Sequence, residues 1–178
     1  MTWVKNMQIE FPILTVPSKE IRDYLKKLEI IANSEFSEAI ILSPFVDAHI
    51  VLNFVKRCVF TERKLWIITR YRGVPEFQQE AMDEAKREII KYSAKGPTLS
   101  EKVKWKINER LHAKCVIIDW EKILLGSQNL TQFGGLGNKG KGNYELGIYI
   151  KDLGKPTIRE LQVFFDEVKR TSTRDFYP

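Results

Sequence analysis

The stretch from Leu111 to Asn129, LHAKCVIIDWEKILLGSQN, constrains this chain more than any other. It reads as two apolar strands, Leu111–Ile118 and Lys122–Gly126, joined by the tight connection Asp119-Trp120-Glu121. A connection so short returns the chain as an adjacent antiparallel strand, so the fold must contain this hairpin. His112 and Lys114 stand two apart, which is the strand period, and both side chains are expected on one face. Ala113 and Cys115 then turn the other way, into packing under helices. An imidazole beside an ammonium places a group that can attack or exchange a proton next to a charge that holds an anion. At the far end, Gly126 would let backbone approach a ligand closely. The hydroxyl of Ser127 and the amides after it can donate to phosphate oxygens.

Around this hairpin, strand-like and helix-like segments alternate. Glu38–Leu42 (EAIIL) and Lys64–Thr69 (KLWIIT) are short apolar runs of the kind found in buried strands. Asp47 suits the N-cap of a helix from about Ala48 to Arg57. Pro75 stands at the start of a second helix, in which Phe77, Ala81, Ala85 and Ile89 recur every fourth position with Met82 beside them. Lys102–Ile107 and Tyr144–Ile150 read as strands, and Lys102, Lys104 and Lys106 alternate with apolar residues as a solvated basic face. A closing helix begins near Pro156, with Ile158, Leu161, Phe165 and Val168 on one side. The N-terminal part offers a strand over Met7–Leu14 and a helix from about Ser18 to Ala32. Five of the ten glycines fall between Gly134 and Gly142, in a segment that carries Lys139 and Lys141 and reads as a loop. The expectation is an α/β fold: a mixed β-sheet flanked by helices on both faces. We read one domain over residues 1–178, with 1–35 as an N-terminal strand and helix and 36–178 as the catalytic core.

Composition narrows the class. Apolar residues at 43% and charged residues at 29% suit a globular protein with a proper core and exclude a disordered tail. The two cysteines, Cys58 and Cys115, build no disulfide framework and fit no zinc spacing. No apolar run is long enough to span a bilayer, and MTWVKNMQIEFPILT lacks the features of a secretory signal. A reducing, cytoplasmic setting and no stable membrane association are therefore expected. The net charge of +6 is compatible with a polyanionic partner.

His112, Lys114, Asp119, Gly126, Ser127 and Asn129 reproduce, with every spacing kept, the His-x-Lys, four residues, Asp, six residues, Gly-Ser-x-Asn pattern of the phospholipase D superfamily, which this chain resembles. Asn129-Leu130-Thr131 and Asn143-Tyr144-Glu145-Leu146-Gly147 look like the family's continuation. Leu42-Ser43-Pro44-Phe45 and Ile68-Thr69-Arg70 resemble strand ends of its nuclease-like members, so the likeness covers most of residues 38–170. The resemblance implies an α/β/α sandwich and phosphodiester chemistry in two steps through a phosphohistidine, with no metal or other cofactor. It assigns catalysis to His112, Lys114, Ser127, Asn129 and Glu145, with Glu145 supporting the histidine and Asp119, Gly126 and Asn143 as supporting motif positions. Ser43, Arg70, Lys139 and Lys141 are candidate substrate contacts.

Many family members carry two such motifs and this chain carries one. The other histidine, His49 in DAHIV, has no lysine two residues on and reads as a helix-start residue. In-line displacement needs an imidazole on each side of phosphorus, so a second copy of the chain must supply the other. The expectation is a metal-independent endonuclease, active as a homodimer on nucleic acid, with DNA favoured over RNA. It would also suit the cleavage module of a larger restriction or repair system. Two alternatives stand beside it: a phospholipid phosphodiesterase or phosphatidyl transferase, which should expose an apolar patch near the site, and a non-catalytic nucleic-acid-binding dimerisation module.

Overall fold

The structure, a computed structural model, describes residues 7–16, 21–73, 75–94, 98–130 and 144–177. The expectations placed on Ser18, Thr131, the glycine-rich segment, Lys139, Lys141 and Asn143 lie outside the described residues. The elements run β1 (Gln8–Val16), β2 (Ile21–Arg22), α1 (Asp23–Asn33), β3 (Glu38–Leu42), α2 (Ala48–Cys58), β4 (Lys64–Thr69) and α3 (Glu76–Ser93). There follow α4 (Leu99–Lys102), β5 (Val103–Ile107), β6 (Cys115–Ile118), β7 (Lys122–Gly126), β8 (Glu145–Lys151), α5 (Lys155–Arg170) and β9 (Arg174–Tyr177).

The strands form one mixed sheet in the order β2-β1-β8-β7-β6-β3-β4-β5-β9. β3, β4 and β5 lie parallel, because each is reached by a helical crossover, while the β6–β7 hairpin pairs antiparallel with β3. The continuous apolar runs of β3 and β4 are what a strand covered on both faces requires. Along β3, Ala39 and Ile41 face a core shared with α1, α2 and α3, whereas Ile40 and Leu42 face a second core closed by Phe165 and Val168 of α5. The α/β/α sandwich is therefore present, with α1, α2, α3 and the short α4 on one face and the closing helix α5 on the other.

Three departures have local physical reasons. The stripe of α3 that enters the core is Gln78, Met82, Ala85 and Ile89, and Phe77 is left exposed. A strict four-residue row drifts around a 3.6-residue helix, so the buried face follows steps of four, three and four instead. Lys102 closes the short α4 rather than opening β5. It donates to Thr61 O at 2.7 Å, while Lys106 pairs with Asp175 of β9 at 2.8 Å, so two of the three alternating lysines are engaged within the fold. Finally, β6 begins at Cys115 and not at Leu111. Its neighbour β3 ends at Leu42, opposite Cys115, and Pro44 follows, so residues 111–114 have no ladder on that side.

Candidate functional site

The hairpin delivers the site to the edge of the sheet where β3 and β4 end. The 118–121 turn closes through Glu121 N to Ile118 O at 3.0 Å, with Asp119 and Trp120 at φ 51° and 57°. Two consecutive positive φ values are the requirement of a type I′ turn, whose twist matches paired strands. Asp119 tolerates that conformation, and its Oδ1 accepts the backbone N–H groups of Ser37 and Glu38, each at 2.8 Å. Trp120 Nε1 donates to Glu38 at 2.9 Å and its ring lies edge-on to Phe165. Both residues thus secure the end of the sheet opposite the site. Asp119 also borders a hollow of about 550 Å³ there, remote from His112.

His112 and Lys114 precede β6 in extended, unladdered backbone, yet the expected juxtaposition holds: Lys114 Nζ lies 3.4 Å from His112 Nδ1 and donates to His112 O at 3.0 Å. Ala113 and Cys115 pack in the core under α5, as the alternation requires. His112 is exposed and borders a cleft of about 360 Å³ walled by Leu111, Ala113, Phe164 and Thr171. Partial burial holds the Lys114 ammonium below the usual lysine range, and the negative charge of Glu145 acts in the opposite direction.

Ser127 and Glu145 meet where β7 ends and β8 begins. The Ser127 hydroxyl bonds the Glu145 carboxylate and accepts Leu146 N at 3.1 Å, while Ser127 N donates to Leu146 O at 3.0 Å. The expected contact between Glu145 and the imidazole is not among the hydrogen bonds of the described residues. β7 lies between the two groups, so Glu145 stands two strand spacings from the line of β6, roughly 10 Å. Glu145 is held instead by Ser127 and acts on Lys114 through its charge.

Asn129 carries a buried Oδ1 with no hydrogen-bond partner. Arg70 follows β4, its backbone N–H bonding Pro44 O at 3.2 Å, and its Nε is buried without a partner. Ser43 is a correction. It is fully buried, its hydroxyl donates to Phe45 O at 2.6 Å, and it accepts Leu130 N at 3.2 Å. That hydroxyl ties the end of β3 to the strand end bearing Asn129 and is not free for substrate. His49 bonds Asn53 one helical turn on, at 3.3 Å.

Gly126 also has a different purpose from the one its sequence context suggests. It pairs with Gly147 across β7 and β8, and the ring of Tyr24 from α1 lies against both. A Cβ at Gly126 would stand 2.9 Å from that ring and one at Gly147 2.6 Å. The glycines admit an aromatic ring under the site, not a ligand above it. Thr15 and Gln128, joined at 2.7 Å and fully buried, stitch β1 beneath the same strand end. Nothing in the sequence points to Tyr24 or Thr15, because their partners are about a hundred residues away. Gln128 occupies the unspecified position of the motif.

The family model described as "Cardiolipin synthase, PLD-like domain" matches residues 27–169. No curated protein sequence matches the chain significantly. Among solved structures, the phospholipase D family member Nuc from Salmonella typhimurium superposes with a TM-score of 0.67 at 15% identity, covering 97% of this chain and 100% of that one. NucT from Helicobacter pylori gives 0.63 at 19% identity, covering 94% and 99%. A phosphatidylserine synthase from Haemophilus influenzae Rd KW20 gives 0.62 at 12% identity, covering 94% of this chain and 39% of that one. With a family model spanning the hairpin, both flanking cores and every described motif position, the chain belongs to the phospholipase D-like family.

Proposed function

We propose that this protein is a metal-independent phosphodiesterase that cleaves nucleic acid, DNA in preference to RNA, at a site shared by two copies of the chain. The observation that carries the reading is the His112–Lys114 pair at the mouth of a cleft, present once per chain, with the Ser127–Glu145 pair alongside. A ring nitrogen of His112 attacks phosphorus, and the partner subunit's His112 protonates the leaving oxygen. Water then attacks the phosphorus of the phosphohistidine, giving its proton to the partner subunit's His112, and the P–N bond breaks to release His112 and the phosphate product. Lys114 and Asn129 of both copies hold the non-bridging oxygens as charge builds. The ammonium and imidazolium groups supply the positive charge that this step needs. The fold supports the reading, since nearly all of this chain superposes on Nuc and NucT.

An exposed apolar strip beside the site supports the two-copy reading. Leu125 pairs with Ile148, two residues from Leu146, so both leucines leave the sheet on one face. They are 37% and 46% exposed beside Gly126, Ser127 and Glu145, and Ile9 lies on the same face of β1 at 57%. An apolar strip that borders the site suits a surface covered on association. The same strip is the one observation that favours the lipid-acting alternative. Incubation with single- and double-stranded DNA, RNA and phosphatidylcholine vesicles in excess chelator decides between them. Cleavage of polynucleotide alone is the expected result. Cleavage of lipid alone, or loss of activity on chelation, would overturn the proposal.

A further inference from the structure

The cleft of about 360 Å³ beside His112 lies between residues 108–113 and the C-terminal half of α5. Leu111 and Val168 give it a buried, apolar floor. The polar groups around that floor are already paired with one another. Asn108 Nδ2 donates to Val168 O at 2.9 Å and to Thr171 Oγ1 at 3.0 Å, and Asn108 Oδ1 accepts Arg110 N at 3.0 Å. The Thr171 hydroxyl donates to Glu167 O at 2.8 Å. The Glu167 carboxylate accepts both Nε and Nη2 of Arg170, at 2.9 and 2.7 Å. The rim offers two further groups of another kind. Phe164 of α5 is 45% exposed, and Arg110 is an exposed cation beside His112.

An occupant of this cleft meets an apolar floor, an aromatic ring and a planar cation, while the hydrogen-bonding groups below are committed to each other. Aromatic rings and guanidinium planes are the surfaces on which nucleobases stack. A nucleic-acid phosphodiester held at His112 carries a nucleoside on either side, so it brings a base to the same rim. An acyl chain would fit the floor but gain nothing from the guanidinium plane. We propose that the cleft is a subsite for one nucleobase next to the cleaved phosphate, with Phe164 as its stacking platform and Arg110 as the planar cation beside it. The inference rests on the phosphodiesterase reading for the place of that phosphate. Because the polar atoms of the floor are engaged, the subsite grips the face of a base and does not read its edge. Occupancy also takes the base out of its stack, which a paired duplex resists and a single strand allows. Single-stranded nucleic acid of any sequence is the form that fits.

The test uses the full chain carrying His112→Asn, which leaves the strands uncut, and reads binding by fluorescence anisotropy in excess chelator. A dye-labelled oligothymidylate is expected to bind about five-fold or more tighter than an abasic deoxyribose-phosphate strand of the same length. Phe164→Ala should remove most of that ratio, and Phe164→Trp should keep it. Arg110→Ala, which lies outside the helix, should lower the same ratio and keeps the claim testable should the alanine variant of α5 fail to fold. Oligoadenylate and oligocytidylate should match oligothymidylate within about three-fold. Equal binding of the thymidylate and abasic strands overturns the proposal. So does a ratio that survives both alanine variants, or Phe164-dependent binding of phosphatidylcholine vesicles in place of the strands. Binding needs no turnover, so the two readings can fail separately. A wild-type chain that cuts nothing, in which Phe164 still selects the strand with bases, defeats the functional reading and upholds the subsite. A chain that cuts polynucleotide without that selection defeats the subsite alone.

Discussion

Asp119 belongs to the family motif, yet it holds the end of the sheet opposite the site, and Asp119→Ala tests that division of labour. The substitution removes an acceptor for two backbone N–H groups at 2.8 Å each. A hydrogen bond to a charged group is worth about 1.5–3 kcal/mol when buried, but the Ser37 donor is exposed and water replaces its partner, so the pair together contributes about 2 kcal/mol. Alanine at φ 51° adds the left-handed penalty, about 1 kcal/mol beyond what aspartate tolerates. The total of about 3 kcal/mol corresponds to a fall in Tm of about 6–12 °C for a chain of this size. β6 separates Asp119 from Lys114 by four residues, roughly 13 Å of strand, so the site should be undisturbed while the fold persists. Calorimetry and urea melts measure the stability, and turnover of bis(p-nitrophenyl) phosphate at 20 °C measures the site. Turnover is expected to stay within about two-fold of wild type. Asp119→Asn keeps one acceptor oxygen and tolerates the backbone, so it should lose only about 1 kcal/mol. A variant that melts like wild type but turns over about a hundred-fold more slowly would refute the reasoning and put Asp119 in the reaction.

Other expectations follow from the same geometry. Because burial lowers the Lys114 pKa, its ammonium is lost at lower pH than an ordinary lysine, and the basic limb of the rate profile should lie below the lysine range. Lys114→Arg, charged throughout, should remove that limb; Glu145→Gln should push it lower, since the carboxylate charge is what raises it. A limb unmoved by either variant would exclude Lys114 as its source. Gly147→Ala places a Cβ 2.6 Å from a ring that is fully buried and cannot retreat. It should cost about 1–3 kcal/mol in chemical denaturation, with partial recovery in a Tyr24→Leu background, and equal losses in both backgrounds would deny the contact.

Much of this was legible in the sequence because it is written locally. The apolar runs of β3 and β4, the tight return at Asp119-Trp120 and the fixed spacing from His112 to Asn129 each depend on neighbours a few residues away. Asp119 stands in that return, and its carboxylate accepts the backbone N–H groups of Ser37 and Glu38. What the sequence hides are choices made by distant partners. Ser43 looks like a hydroxyl at a ligand-binding strand end, but Leu130 consumes it from 87 residues away. Gly126 looks like access for a ligand, but a ring from α1 fills the space. The short β9 carries no strand pattern of its own and exists because β5 offers it an edge. Phe77 was drawn into the core by a four-residue count that the true helical pitch does not keep.

In the proposed function, one chain holds half of a reaction centre. Dimers carrying one wild-type and one His112→Ala chain, isolated by two different affinity tags, measure it directly on a chromogenic phosphodiester in excess chelator. A composite site needs both imidazoles, so the mixed dimer should retain almost no turnover, like the dimer with both chains altered. A mixed dimer that keeps half the wild-type rate, or an active wild-type monomer in sedimentation, would contradict the claim.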